Sequence, residues 1–160
     1  MVVVADTSPL NYLLLINEIT VLPALYRRIL IPQAVLDEMN HPLSPPVVKR
    51  FASAPPDWLE TVATQSGALL AAGKTMPRLD AGEVAAIALA ANHPDALLLM
   101  DEAAGRAEAA RRGIHVTGTL GILRDAASAG LVDLSSAFAK LKATSFRAPA
   151  GLIDAILDPQ

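Results

Sequence analysis

The amino-terminal stretch Val2-Val3-Val4-Ala5 constrains the fold of this chain more than any other segment. Three β-branched residues in a row are typical of a strand buried on both faces, and such strands lie centrally in parallel sheets. Ser8 is a suitable N-cap and Pro9 fits the first helical position, so a helix is predicted to begin at once. Asp6 then stands at the carboxyl end of a buried strand, where open α/β sheets bind their ligands. We therefore expect Asp6 to anchor a functional site.

Strand and helix patterns alternate along the rest of the chain. The predicted strands are 2–5, 28–32, 58–62, 96–100 and 114–116, with 58–62 at a sheet edge. The predicted helices are 9–16, 19–26, 32–39, 47–54, 79–91, 102–112, 119–129, 133–143 and 149–157. Residues 64–78 have the weakest pattern and are expected to form a loop that can include a short helix. Such alternation indicates βαβ units and an α/β fold with a parallel sheet.

Length, charge and cysteine content limit the classes of protein to which the chain can belong. With 160 residues it is expected to form a single domain, 1–160, in which 133–160 is a helical extension packed on the rest. The net charge of −3 means that a nucleic-acid partner would not be held by overall positive charge. The chain has no cysteine, no signal-peptide pattern and no apolar run of membrane-spanning length, so we expect a cytoplasmic protein with no membrane partner.

Four acidic residues recur at strand ends or on the adjoining helices: Asp6, Glu38, Glu83 and Asp101. Two buried strands each deliver an aspartate at the same edge of the predicted sheet. Clustered carboxylates raise one another's pKa unless a cation neutralises them. Carboxylate and water ligands suit Mg²⁺ or Mn²⁺, and such an ion can activate a water and stabilise charge on a phosphoryl oxygen. The implied chemistry is metal-assisted phosphodiester hydrolysis.

Each of these acids also has a structural interpretation. Asp101 could cap the helix that follows it. Asp80 and Glu83 have the spacing of a capping box, with Asp80 as N-cap and Glu83 reaching back to it. Glu38 could be a solvated residue of an amphipathic helix. Capping explains Asp6 least, because Ser8 competes for that position.

The order and spacing of these motifs resemble those of PIN-domain nucleases over about residues 2 to 132. The motifs are Asp6-Thr7-Ser8-Pro9-Leu10, Leu36-Asp37-Glu38, Leu79-Asp80-x-Gly82-Glu83 and Asp101-Glu102. The stretch from Thr117 to Leu123 is similar to the closing motif of one prokaryotic branch, which is related to VapC-like toxins of toxin–antitoxin pairs.

The resemblance implies a three-layer α/β/α fold with a PIN-like parallel sheet of four or five strands flanked by helices. It also implies a metal-dependent ribonuclease with an RNA substrate, a small antitoxin protein as inhibitor and a tendency to dimerise. Carried over by position, the catalytic and metal-binding residues are Asp6, Glu38, Glu83 and Asp101, with Mg²⁺ or Mn²⁺ as cofactor. Asp80 is the alternative to Glu83, and Glu102 the alternative to Asp101.

Basic residues offer two candidate surfaces for RNA. Arg106, Arg111 and Arg112 form one of them, and Arg27-Arg28 or Lys49-Arg50 form the other. Arg106 could instead pair with Glu102, and solvated helix faces explain the rest equally well. The alternative function is therefore a PIN-like protein-binding module without catalysis, in which the acids serve as helix caps.

Overall fold

The computed structural model describes residues 1–63, 66–148 and 152–157, with the side chains of residues 66–70, 154 and 155 left out of that description. Within these residues, five parallel strands form a sheet in the order β3-β2-β1-β4-β5. The strands are β1 Val3–Ala5, β2 Ile29–Pro32, β3 Leu59–Val62, β4 Leu97–Leu99 and β5 His115–Thr117. The amino-terminal strand is central and β3 is an edge strand, as the sequence predicted.

Helices cover both faces of this sheet. They are α1 Thr7–Leu15, α2 Val21–Tyr26, α3 Gln33–Met39, α4 Pro46–Ser53, α5 Ser66–Thr75, α6 Ala81–Ala91, α7 Ala103–Arg111, α8 Thr119–Ser128, α9 Leu134–Lys142 and α10 Leu152–Leu157. Val3 and Ala5 join one hydrophobic cluster and Val4 joins the other, because successive side chains of a strand point to opposite faces. Phe138 of α9 lies in the first cluster and Ile87 of α6 in the second. The predicted three-layer α/β/α architecture is confirmed.

The order in which the strands are added reverses between β1 and β4. The chain adds β2 and β3 on one side of β1, and then adds β4 and β5 on the other. This reversal leaves a crevice at the carboxyl ends of the two central strands, where α/β proteins bind ligands. Ala5 of β1 is in register with Leu99 of β4, so Asp6 and Asp101 follow strands that end at the same edge.

The start of α1 differs from the prediction. Helix α1 begins at Thr7, and Asp6 occupies the N-cap position. The assignment of Ser8 as N-cap and Pro9 as first helical residue is therefore wrong; they are the second and third residues of the helix. Proline is tolerated there because the first four N–H groups of a helix have no acceptor within it.

The weakly patterned segment 64–78, expected to be mainly a loop, contains the ten-residue helix α5. Residues 64 and 65 lie outside the described residues, as do 149–151 of the last predicted helix, of which 152–157 is helical. Among the helices that the structure describes, none combines the length and the apolar character needed to cross a bilayer.

Candidate active site

Asp6 is the most deeply buried acid of the candidate site. Its side chain is only 3 % exposed, and its backbone N–H donates to the Leu99 carbonyl oxygen at 2.9 Å, which fixes it between β1 and β4. Its carboxylate makes no capping hydrogen bond to α1, and Oδ1 is buried without a hydrogen-bond partner. Capping therefore does not explain this aspartate, although the reason is geometry and not competition from Ser8.

Burial raises the pKa of Asp6 to about 8. The Thr7 backbone N–H opposes this shift, whereas the charges of Asp80, Glu83 and Glu38 add to it. A buried carboxyl group of this kind is costly to ionise, and a nearby cation lowers that cost. Perturbed carboxyl groups in a crevice are typical of functional sites.

Glu38 reaches the same place from α3. Its Oε2 accepts a hydrogen bond from Thr7 Oγ1 at 3.0 Å, which ties α3 to the first residue of α1. Much of the Glu38 side chain faces solvent, yet partial burial of its carboxyl group raises its pKa. The bond from Thr7 lowers that pKa and the charge of Asp80 raises it. The role of Thr7 could not be inferred from the sequence, since its partner lies in another motif.

Asp80 and Glu83 form the capping box that their spacing predicted. Asp80 Oδ1 accepts from the Glu83 backbone N–H at 2.8 Å, and Glu83 Oε1 accepts from the Asp80 backbone N–H at 3.0 Å. Glu83 is buried, and its burial raises its pKa, as do the charges of Asp80, Glu102 and Glu38; the Asp80 N–H lowers it. The two carboxylates thus cap the start of helix α6, and their negative charges also act on Asp6.

Gly82 marks the point at which the carboxylates converge. A Cβ at this position would lie 2.6 Å from Glu38 Oε2 and 3.5 Å from both Asp6 Oδ1 and Asp80 Oδ1. Three carboxylates from three different elements therefore surround one small space that only glycine leaves open. We call Asp6, Glu38, Asp80 and Glu83 the acidic cluster. The sequence showed Gly82 within a motif but gave no indication of this role.

Asp101 follows the neighbouring strand β4 at the same edge of the sheet and has its own partners. Its Oδ1 accepts from the Thr119 backbone N–H and its Oδ2 from Thr119 Oγ1, both at 2.7 Å. Burial raises the pKa of Asp101, while the two bonds from Thr119 and the charge of Arg106 lower it. The side chain therefore binds the start of α8, which follows α7 and β5 along the chain, and does not cap α7. Thr119, fully buried, was not recognised as a site residue from the sequence.

Glu102 is the residue that caps α7. Its Oε2 accepts from the Gly105 backbone N–H at 2.7 Å. Its charge also raises the pKa of Glu83, so it stands close enough to the acidic cluster to act on it electrostatically. Of the four predicted site residues, the structure thus brings Asp6, Glu38 and Glu83 together, adds Asp80, and keeps Asp101 at the adjacent strand end.

The donor chemistry of the acidic cluster fits a hard divalent cation. The donors are carboxylate oxygens, the type that Mg²⁺ and Mn²⁺ prefer, and the unpartnered Asp6 Oδ1 faces the space beside Gly82. Within residues 1–63, 66–148 and 152–157, no three His, Cys, Asp or Glu side chains already stand in a ready-made ligand arrangement. Glu38 and Glu83 are instead engaged by Thr7 and Asp80.

A family model described as a PIN domain matches residues 2–159. The chain belongs to the PIN-domain family. PIN domains are generally nucleases that act on nucleic acid, so the hydrolase class follows at that coarse level. The match continues through the residues after about 133, beyond the reach of the motif resemblance. No curated protein and no solved structure is significantly similar to the chain.

Proposed function

We propose that this PIN domain is a metal-dependent endoribonuclease in which Asp6, Glu38, Glu83 and Asp101 hold Mg²⁺ or Mn²⁺ and carry out catalysis. The observation that carries the proposal is the state of Asp6: a buried carboxylate with one oxygen unpartnered and its pKa raised to about 8, in the centre of further acids. A fold does not tolerate such a group without a reason, because a buried, unsatisfied carboxylate is costly. A bound cation supplies that reason.

The ion, when bound, would activate a water molecule and stabilise charge on a phosphoryl oxygen. The residues of the chain position the ligands. Thr7 orients Glu38, and Thr119 holds both oxygens of Asp101. An ionised carboxylate has about four lone-pair positions, so Asp101 keeps free positions after its two bonds from Thr119. Asp80, the alternative to Glu83, adds negative charge to the same space.

The biological setting belongs to the same proposal. We infer a cytoplasmic, single-domain toxin of the VapC-like branch, inhibited by a small antitoxin protein and active as a dimer. The motif at Thr117–Leu123 supports this branch. Co-purification of the protein encoded by the neighbouring reading frame, together with growth arrest on overexpression, is the expected result. Unchanged growth with no co-purifying partner would contradict the toxin role without touching the nuclease proposal.

A second candidate function is a catalytically silent binding module. The observation that favours it is that most of these acids stabilise helix starts: Asp80 and Glu83 cap α6, Glu102 caps α7, and Asp101 binds the start of α8. Asp6 argues against it, since its buried Oδ1 has no hydrogen-bond partner among the described residues.

RNA cleavage measured during titration with Mg²⁺ or Mn²⁺ distinguishes the two functions. We expect the wild type to cleave only with metal, and Asp6→Asn and Asp101→Asn to cleave far more slowly. Asp37→Asn is the matched control, because Asp37 is exposed and bonds only to Gln33 of its own helix among the described contacts. A single-stranded DNA of the same sequence tests the choice of RNA. Cleavage that persists in EDTA, or in both site variants, would exclude the proposed mechanism.

A further inference from the structure

A second cleft lies beside Asp101. It has a volume of about 330 Å³ and is bordered by β5, the start of α8 and the segment that leads into α10. Three arginines line it: Arg106, Arg124 and Arg147. Its apolar lining includes Leu120, Phe146 and Ile156. We call these six residues the arginine cleft.

Two arginines of this cleft, Arg124 and Arg147, are only weakly bound by other groups of the protein. Arg124 approaches Asp125 at 3.7 Å, with both side chains at least half exposed, and such surface pairs contribute little. Arg147 donates from Nη1 to the neighbouring Phe146 carbonyl oxygen at 3.0 Å. By contrast, Arg111 and Arg112 are both bound by Glu108, at 2.6 Å and 3.0 Å. Arg124 and Arg147 are therefore freer than Arg111 and Arg112 to bind an anionic ligand.

The arginine cleft is continuous with the candidate active site. A Cβ at Gly118 would lie 2.7 Å from Asp101 Oδ1 and 2.8 Å from Arg106 Nη1, so the missing side chain lets the carboxylate and the guanidinium share one space. An occupant of the cleft thus lies next to the group that we place at the metal. A polymer that passes through the active site would extend directly into the cleft.

We propose that the arginine cleft binds one nucleotide of the RNA strand adjacent to the scissile phosphate. The phosphate contacts the guanidinium groups of Arg124 and Arg147, and the base packs on the apolar lining around Phe146. This inference rests on the proposed function, since it names how the substrate of that same site is held.

Three properties of the cleft match a nucleotide. Guanidinium groups bind phosphate oxygens in a bidentate manner. Single-stranded bases pack on aromatic and apolar side chains, independently of their sequence. A volume of about 330 Å³ lies at the lower end of the range for small-ligand pockets, which is appropriate for one unit of a polymer. Because the chain has a net charge of −3, phosphate binding requires a local patch of this kind.

Binding of a short, fluorescein-labelled, single-stranded RNA oligonucleotide, measured by anisotropy in EDTA at several salt concentrations, tests the inference. The variants are Arg124→Ala, Arg147→Ala and the double variant. We expect the double variant to bind about tenfold more weakly. The slope of log K against log salt should fall by about 0.7 for each arginine, the value for single strands. Arg124→Glu should bind more weakly than Arg124→Ala, since it adds repulsion at the same exposed position.

The double variant Arg28→Ala/Arg50→Ala is the charge-matched control, and it also tests the other surface that the sequence offers for RNA. Both arginines are exposed, and Arg28 lies at the amino end of β2, whereas Asp101 and Gly118 of the cleft lie at the carboxyl ends of β4 and β5. A loss of affinity as large in this control, or an unchanged slope in the cleft variants, would overturn the inference. So would binding of an acidic peptide that depends on Arg124 and Arg147 while RNA binding does not. Because the assay contains no metal, arginine-dependent binding without cleavage under any condition would contradict the proposed nuclease and leave the cleft assignment standing.

Discussion

The acidic cluster and Asp101 both place buried carboxylates at the same edge of the sheet, but the groups that surround them differ. In the cluster, the carboxylate that follows β1 meets those of α3 and of the start of α6, and no cation is among the groups that shift the pKa of Asp6. Asp101 has the same burial problem, but Thr119 donates two hydrogen bonds to it and Arg106 supplies positive charge. The protein thus offsets the negative charge of Asp101 with hydrogen bonds and a cation, and it does not offset that of the acidic cluster in the same way.

This contrast indicates where a cation has most to contribute. Burial raises the pKa of all four predicted site acids, but the value reaches about 8 only for Asp6. Asp6 is also the acid with an unpartnered oxygen. We therefore expect substitutions in the cluster to change metal binding strongly, and substitutions around Asp101 to change mainly the orientation of one ligand.

Asp6→Asn should have the largest effect and tests the contrast directly. The change removes the unbalanced charge but keeps the shape, so RNA cleavage should fall by about 10²- to 10³-fold, the usual cost of losing a key electrostatic group. In metal-free buffer at pH 8 the same variant should be more stable than the wild type, measured as the urea midpoint. Asp37→Asn should change neither quantity. Lower stability of Asp6→Asn at pH 8 would contradict the assignment of strain to Asp6.

The pH dependence of stability provides the second test. The folded-state pKa of Asp6 is raised from 3.8 to about 8, so its contribution to stability is fully present below about pH 4 and is lost as the pH rises to about 8. The shifts of Glu38 and Glu83 have the same sign. The difference in free energy of unfolding between wild type and Asp6→Asn should therefore grow across this window, by on the order of a few kcal/mol.

A divalent metal ion should restore the stability that the wild type loses as the pH rises. Adding Mn²⁺ at pH 8 should raise the melting temperature of the wild type, with a smaller increase at pH 5, because protonated carboxyl groups are poor ligands. EDTA should restore the lower melting temperature. An equal response to Mn²⁺ in Asp6→Asn would show that the ion binds somewhere other than the acidic cluster.

Gly82→Ala probes the space between the carboxylates. Its Cβ would displace Glu38 Oε2, the end of a flexible side chain, so the fold should survive while the metal-binding geometry does not. We expect Mn²⁺ affinity to fall about 10- to 100-fold, as for other changes that reorient ligands. Gly73→Ala is the matched control, since a Cβ there meets nothing within 4 Å in helix α5. Mn²⁺ affinity that is unchanged in Gly82→Ala would show that the ion does not use this space.

The sequence was sufficient to predict the sheet because its signals are local. The run Val2–Val4 marks the central strand, and the spacing of Asp80 and Glu83 predicts the capping box that starts α6. The same local signals misplace the start of α1: Ser8 and Pro9 fit a helix start by composition, whereas the hydrogen bond between Asp6 and Leu99 places Asp6 at the N-cap.

Partners distant in sequence could not be predicted in the same way. Thr7 and Glu38 are 31 positions apart, and Asp101 and Thr119 are 18 apart. Which acid follows which strand can be read along the chain, but the hydroxyl group that orients each acid depends on how α1, α3 and α8 pack. The convergence of three carboxylates on Gly82 has the same origin.

Thr119→Val should have the smallest effect, since it removes only one of the two hydrogen bonds that Thr119 donates to the Asp101 carboxylate. The variant loses the Oγ1 bond to Asp101 Oδ2 but keeps the backbone N–H bond to Oδ1, so the loss of stability should be about 1–2 kcal/mol. Cleavage should fall by about tenfold or less, and Thr119→Ser should restore it. Because one bond to Asp101 is lost, its pKa should rise and the acidic limb of the pH–rate profile should shift upward, which loss of packing alone would not produce. A loss as large as that of Asp6→Asn would mean that Asp101, and not the acidic cluster, is the principal ligand.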